Sequence, residues 1–301
     1  MSDSSRKSNA PPKAKLMSLK DFVSGSVAGV VQVLLGQPFD ILKVRMQTRP
    51  DEYKSLVECF TKTLSNEGPM AFYKGTLSPL LGISLCVGIQ FGSNEFAKNY
   101  FAKSNYRKTG NAELSVIDYV RSGVFAGICN SFVISPVELI RIKLQVQSNS
   151  NKVYSGTIDC AKKIFSQYGI KGIYQGLSAT LFREMPAYAV YFGVYETLMS
   201  QSVGKYHDRK AIPILNVTIF GAISGVLLWI FTFPQDVIKS RIQADDLNKR
   251  KYTSIIGTIK SIHFESGIGG FFKGIVPCLM RAPLINAATF LTFELVQKAL
   301  H

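Results

Sequence analysis

One ten-residue pattern occurs three times in this chain at equal spacing. Each copy has a proline, an acid two residues later, two basic residues and a final glutamine. The copies begin at Pro38, Pro136 and Pro234, so consecutive copies are 98 residues apart. A glycine pair precedes each proline, and the pattern Gly-x6-Gly follows it. The chain therefore consists of three copies of one unit, which is too long to be a helical solenoid repeat.

Two long apolar stretches in each unit predict membrane-spanning helices, because about 20 apolar residues cross a bilayer. They are residues 22–39, 77–96, 119–135, 177–198, 217–233 and 275–296. The glycine pairs allow close helix contact in lipid. A polar stretch of helical spacing between the two spans of each unit predicts a short amphipathic helix on the membrane surface. The predicted fold is an all-α membrane protein with six spans.

The composition agrees with a membrane protein, since 47% of residues are hydrophobic and only 18% are charged. The net charge of +15 suits anionic lipid. Nucleic acid is not expected, because the basic residues lie at span ends and not with aromatics on one helix face. Cysteines and histidines are isolated, and no nucleophile and base set or phosphate loop occurs. The sequence predicts no enzyme, no metal and no cofactor.

The triplicated Pro-x-Asp/Glu-x-x-Lys/Arg-x-Lys/Arg-x-Gln run resembles the signature of the mitochondrial carrier family. The resemblance covers residues 19–299. It implies six tilted helices in pseudo-threefold symmetry around a central cavity, with three short helices on the matrix side. It also implies a monomeric, multi-pass protein of the inner membrane that opens alternately through two gates. Residues 1–18 are expected to be a flexible tail, and residues 19–110, 111–208 and 209–301 the three repeats.

The charges of the repeated motif predict a gate on the matrix side. A proline inside a helix removes one hydrogen bond and bends the helix, which can bring the three motifs to a common axis. Charges buried in a membrane are tolerated mainly in pairs, so each acid is expected to reach a base of a neighbouring helix. The acids are Asp40, Glu138 and Asp236, the bases are Lys43, Arg141 and Lys239, and Gln47, Gln145 and Gln243 are expected to brace the pairs. The alternative is that these charges extend to lipid headgroups.

A second gate on the cytosolic side is implied by the resemblance, as an acid followed three residues later by lysine. The acids are Glu95, Glu196 and Glu294. Only Glu95 has its base, Lys98, while Met199 and Gln297 stand at the other two positions. We therefore expect a weak cytosolic gate, a stronger matrix gate and a resting state that is open to the cytosol.

The resemblance further implies cardiolipin binding at an aromatic-base-glycine motif. Its residues are Tyr73, Lys74 and Gly75 in the first repeat, Gly176 in the second, where glutamine replaces the base, and Phe272, Lys273 and Gly274 in the third. Exposed amides at a helix start suit phosphate. The alternative is that each glycine only ends a helix.

A substrate site near the bilayer midplane should lie about 20 Å, or about 13 helical residues, from each gate. Counting back from Glu196 and Glu294 gives Arg183, with Glu184 beside it, and Arg281. Charged residues so deep in a membrane usually have a function, although they can also serve only to hold helices together. Further candidates are Gly82, which offers space, and the cation-π partners Trp229 and Tyr188.

The dipeptide of Arg183 and Glu184 resembles the pattern of amino acid carriers, including the carnitine and ornithine branch. Arginines suit a carboxylate and Glu184 suits an amino group. We therefore expect exchange of an amino acid, and the sequence favours a cationic one such as ornithine, lysine or arginine. An acylcarnitine carrier and a carrier-shaped subunit of a larger membrane complex are the alternatives.

Overall fold

Six long helices and three short ones account for most of the chain. The computed structural model describes residues 19–110, 112–148, 152–206 and 211–299, so the predicted tail lies outside the described residues. The long helices are α1 (Leu19–Thr48), α3 (Leu77–Thr109), α4 (Val116–Val146), α6 (Leu177–Tyr206), α7 (Ile214–Ala244) and α9 (Ile275–Ala299). The short ones are α2 (Leu56–Glu67), α5 (Thr157–Ile173) and α8 (Ile255–Ser266). The described residues contain no strand, so the all-α prediction is confirmed.

The long helices differ in how apolar they are. Among the described residues, α1, α4 and α7 contain segments that are apolar and long enough to cross a membrane, and a bent pair around α3 gives a fourth. Helices α6 and α9 have 30 and 25 residues. They carry Arg183, Glu184 and Arg281, all of which line an internal cavity. Charges that face such a cavity are compatible with a span.

The long helices form a ring in which the repeat prolines lie inside α1, α4 and α7. Neighbours around the ring pack extensively at α3 with α4, α4 with α6, α6 with α7, and α9 with α1. Helices α1, α4 and α7 also contact one another pairwise. The three motif-bearing helices therefore converge, and their charges meet at one end of the ring.

The short helices are held against the same end by small apolar clusters. Leu42 and Met46 of α1 pack on Tyr53, Cys59 and Phe72 around α2. Burial of such side chains is the main favourable term for an amphipathic surface helix.

Buried ion pairs add to this attachment in the first and third repeats. Arg45 contacts Glu67 at 2.6 Å, and Arg241 contacts Glu265 at 2.7 Å. Burial raises the pKa of Glu265, but hydrogen bonds from Lys251 and Arg241 outweigh it and lower the pKa to about 2. In the second repeat, the equivalent Lys143 donates to the backbone carbonyl of Asp245 instead. The surface helix of the second repeat, α5, thus depends more on apolar packing.

The glycine pairs do not all serve the predicted close contact. A Cβ atom at Gly123 would lie 2.9 Å from the carbonyl oxygen of Tyr188, and one at Gly127 would lie 3.1 Å from that of Glu184. At Gly221 and Gly225 a Cβ atom would meet nothing within 4 Å among the described residues. The prediction of tight helix packing is therefore confirmed between α4 and α6, and the described residues show no such contact at the glycines of α7.

This difference makes a matched pair of substitutions possible. Gly123→Ala should lower the free energy of unfolding by about 1–3 kcal/mol, because α4 and α6 must separate to admit the methyl group. Gly221→Ala should leave it unchanged or raise it by up to about 1 kcal/mol, since alanine favours a helix. Thermal unfolding of the detergent-purified variants measures both. Equal effects of the two substitutions would contradict the packing described for α4 and α6.

Candidate functional site

Three ion pairs close one end of the helix ring. Lys43 contacts Asp236 at 2.6 Å, Arg141 contacts Asp40 at 2.7 Å, and Lys239 contacts Glu138 at 2.5 Å. Each pair joins two of the helices α1, α4 and α7, so the three pairs form a closed cycle. All six charged groups thus have a counter-ion on another helix, as the motif predicts. Their role as a gate stays a prediction.

The motif glutamines support these pairs unequally. Gln47 donates to Asp236 at 3.2 Å and so braces the pair with Lys43. Gln243 donates to Thr180 instead, at 3.3 Å. In the part of the chain that the structure describes, neither amide atom of Gln145 has a hydrogen-bond partner. The expectation of three equal braces is therefore wrong in two repeats, because Gln243 is directed toward α6 and Gln145 has no partner within reach.

Gln37 performs the bracing that Gln145 does not. It is fully buried just before the repeat proline. Its Oε1 accepts from Arg141 at 2.7 Å, and its Nε2 donates to the carbonyl of Lys74 at 2.9 Å. Gln37 belongs to no repeated motif, because serine and phenylalanine occupy the equivalent positions of the other repeats. The sequence did contain one signal for its role, since Gln37 is an uncharged polar residue inside an apolar run.

Above the ion pairs lies a cavity of about 260 Å³. Most of the predicted substrate residues line it, namely Gly82, Arg183, Glu184, Tyr188 and Arg281. Asp40, Glu138 and Arg141 form its floor. Gln32, Gln90 and Asn130 add uncharged polar groups that the sequence analysis did not single out.

Arg183 and Glu184 form an ion pair with each other. Glu184 is buried, with its side chain 2% exposed, while that of Arg183 is 15% exposed. Arg183 Nε also lies 3.8 Å from Asp236 of the ion-pair cycle. This arginine therefore connects the cavity wall with the pairs below.

Arg281 makes an equivalent connection on the other side of the cavity. Its Nε lies 3.4 Å from Asp40. The guanidinium lies across Gly36, where a Cβ atom would come within 3.2 Å of one of its nitrogens. The side chain of Arg281 is 27% exposed, more than that of Arg183. Arg281 is thus the more accessible of the two cations.

Trp229 does not line the cavity, which corrects its assignment to the substrate site. The ammonium of Lys43 lies 4.7 Å from the centre of its ring, and the guanidinium of Arg183 lies 5.6 Å from it. The ring face attracts cations, and these two protein cations already occupy it. Tyr188, in contrast, faces the cavity and accepts a hydrogen bond from Asn130 at 3.1 Å.

At the opposite end of the ring, Lys98 lies 3.7 Å from Glu95 on the same helix. Glu196 is buried, with 5% of its surface exposed. The side chain of Glu294 lies outside what the structure describes. Lys98 also lies over the ring of Tyr119 on α4, 5.7 Å from its centre.

Two surface pockets form where the start of the second long helix of one repeat meets the start of the surface helix of the next. Tyr73, Lys74 and Gly75 line the first, and Gly176 lines the second. Gly75, Gly176 and Gly274 have φ of +78°, +83° and +84°, and each precedes a long helix. Lys74 is engaged by Glu67, and Gln175 donates to the carbonyl of Ile242 at 3.1 Å. The glycines therefore start helices, and Lys74 and Gln175 have contacts within the protein.

Comparison with known proteins identifies the class of this fold. The family described as "Mitochondrial carrier protein" matches residues 14–105, 112–205 and 210–301. Three copies of that domain cover nearly the whole sequence. The chain belongs to the mitochondrial carrier family.

Several relatives align over almost their full length. The glutamate/glycine mitochondrial carrier ymc1 of Schizosaccharomyces pombe is 41% identical over 96% of this chain and 97% of its own. The mitochondrial glycine transporter YMC1 of Saccharomyces cerevisiae is 43% identical over 94% and 92%. The mitochondrial basic amino acids transporter of Bos taurus is 34% identical over 92% and 90%. These relatives are transporters.

Gln37 and Gln145 allow a matched test of the ion-pair cycle. Gln37→Leu should lower the free energy of unfolding by about 2–3 kcal/mol, because a buried carbonyl and a guanidinium lose their partner. Gln145→Leu should be nearly neutral, since it removes a buried amide that makes no hydrogen bond. Denaturation in detergent measures both variants. A larger loss for Gln145→Leu would contradict the assignment of the brace to Gln37.

Proposed function

We propose that this carrier moves a small amino acid across the inner mitochondrial membrane by alternating access, in exchange for a counter-substrate. One observation carries the proposal: Arg183, Glu184 and Arg281 meet in one cavity whose floor is a cycle of ion pairs. An amino acid has one carboxylate and one ammonium, and both need a counter-ion away from water.

The geometry favours Arg281 as the ligand of the carboxylate and Glu184 as the ligand of the ammonium. Arg281 is the more exposed arginine, and a guanidinium can bind a carboxylate through two parallel hydrogen bonds. Glu184 already neutralises Arg183, so a zwitterion adds no net charge to the site. Neutral pairing of this kind keeps the cost of desolvation low.

The cationic substrate expected from the sequence is less well supported than a small neutral one. The acids that line the described cavity are Glu184, Asp40 and Glu138. Asp40 and Glu138 are paired with Arg141 and Lys239. A second positive group would therefore compete with a protein cation. The relatives with glycine in their names, at 41% and 43% identity, also exceed the basic amino acid transporter at 34%.

Substrate binding and the matrix gate share residues in this proposal. Arg281 faces Asp40, and Arg183 faces Asp236, so two of the three gate acids lie near cations of the proposed substrate site. A substrate carboxylate at Arg281 competes with Asp40 for this arginine. The contacts between cavity and gate then rearrange, and the cycle of pairs opens toward the matrix. Only the loaded carrier would open, which gives exchange.

The resting state in this proposal is open to the cytosol. The matrix pairs are formed at 2.5–2.7 Å, whereas the cytosolic contact of Glu95 with Lys98 is 3.7 Å and lies within one helix. Met199 and Gln297 cannot provide the two other cytosolic cations. The cytosolic gate is accordingly the weaker one.

Lipid contacts complete the proposal. The two surface pockets combine helix-starting amides with nearby cations, Lys152 in the first and Arg250 in the second. Such positions suit the phosphates of cardiolipin. With Lys74 held by Glu67, the phosphate ligands there would be amides and Lys152. The working unit is proposed to be a monomer, because the whole cavity lies within one chain.

Uptake into liposomes tests the proposed substrate class. The purified chain, reconstituted with cardiolipin, should exchange glycine faster than ornithine, lysine or carnitine. Glu184→Gln should reduce glycine uptake at least about tenfold, because an ammonium loses its counter-ion. Glu58→Gln, a change at an exposed ion pair of α2, should leave uptake unchanged.

Each other outcome of the uptake experiment would support a different function. Preferred exchange of ornithine or lysine would support the cationic substrate, and preferred exchange of carnitine esters would support an acylcarnitine carrier. Absence of uptake for the whole panel would favour a structural subunit. Full glycine uptake by the Glu184→Gln variant would contradict the role of this carboxylate.

A further inference from the structure

Asn130 is a buried side chain of the cavity wall that the ion-pair network does not use. It lies on α4, six residues before Pro136, and only 1% of its surface is exposed. Its Nδ2 donates to the hydroxyl of Tyr188 at 3.1 Å. Its Oδ1 is buried and has no hydrogen-bond partner among the described residues. Buried amide oxygens are rarely left without a donor.

The position of Asn130 places this acceptor beside the proposed ammonium ligand. One turn earlier on α4, Gly127 brings the two helices together, since a Cβ atom there would lie 3.1 Å from the carbonyl of Glu184. Asn130, Glu184 and Tyr188 all line the same cavity. An ammonium has three donors, and Glu184 already shares its carboxylate with Arg183. A neutral acceptor nearby would satisfy a donor that Glu184 leaves free.

The other repeats do not reproduce this arrangement. The equivalent residues are Gln32, which also lines the cavity, and Leu228 on α7. Asn130 is thus a feature of the α4–α6 side, where the glycine contact is tight. The pair of Asn130 and Tyr188 is held in a fixed orientation, because the amide nitrogen is committed to the hydroxyl.

We infer that Asn130 Oδ1 accepts a hydrogen bond from the α-ammonium of the transported amino acid and is a specificity residue of the site. The inference rests on the proposed amino acid transport and deepens it. Tyr188 holds the amide so that its oxygen remains free for the substrate. Glu184 neutralises the charge of the ammonium, and Asn130 orients the ammonium through a hydrogen bond. A substrate without N–H donors therefore binds poorly.

The test separates an acceptor from a merely structural amide. Asn130→Leu and Asn130→Ala remove the acceptor and should raise the KM for glycine roughly tenfold, with a maximal rate changed less than about twofold. Asn130→Asp keeps an acceptor and can accept from the Tyr188 hydroxyl in place of the lost donor, so its KM should stay near the wild-type value. Ser131→Ala is the matched control, because among the described residues that hydroxyl donates to the Gly127 carbonyl of its own helix. Exchange is measured with the full chain in liposomes, using variants that unfold at the wild-type temperature.

The following results would overturn the inference, the proposed substrate or both. An Asn130→Asp variant as poor as Asn130→Leu would show that the donor to Tyr188 matters and the acceptor does not. An unchanged KM in both Asn130→Leu and Asn130→Ala would remove the residue from the site. A wild-type chain that exchanges another amino acid but not glycine overturns only the proposed substrate, and that amino acid then serves as the probe. Absence of all amino acid uptake would overturn both.

Discussion

The pairing of buried charges in a low-dielectric interior is the constraint on which the structure depends. Six motif charges on three helices would be costly in a membrane without counter-ions. Every motif acid is paired with a base of another helix because α1, α4 and α7 converge at one end of the ring. Convergence at one end leaves space between the helices above it. The cavity is therefore a consequence of the same pairs that close it.

The proposed substrate site is connected to these pairs rather than separate from them. Arg183 and Arg281 line the cavity, yet each also approaches a motif acid, Asp236 and Asp40. The ring of Trp229 contacts both Lys43 and Arg183 and adds a third link between the two levels. A charged ligand that alters one arginine therefore changes the electrostatic environment of the ion-pair cycle. This connection gives a physical reason for transport to depend on substrate.

Much of the architecture can be predicted from the sequence, because the same patterns of residues occur in all three repeats. The six long helices, the surface helices and the three ion pairs all come from recurring patterns of apolar and charged residues. Features that break the repeat could not be predicted. Gln37 braces Arg141 although its equivalents are Ser135 and Phe233, and the direction of Trp229 depends on how α7 is rotated. Side-chain direction at one position is a property of packing, which no single-sequence pattern encodes.

The central claim is that the ion-pair cycle closes the matrix end while the cavity is open to the cytosol. It is tested most directly by labelling Gln90→Cys, a cavity-wall position, in a chain whose native cysteines, including Cys86 of the same wall, are replaced by serine. A membrane-impermeant thiol reagent is applied without substrate to mitoplasts and to inverted inner-membrane vesicles. The account predicts fast labelling from the cytosolic side and little from the matrix side. Equal or faster labelling from the matrix side would contradict it.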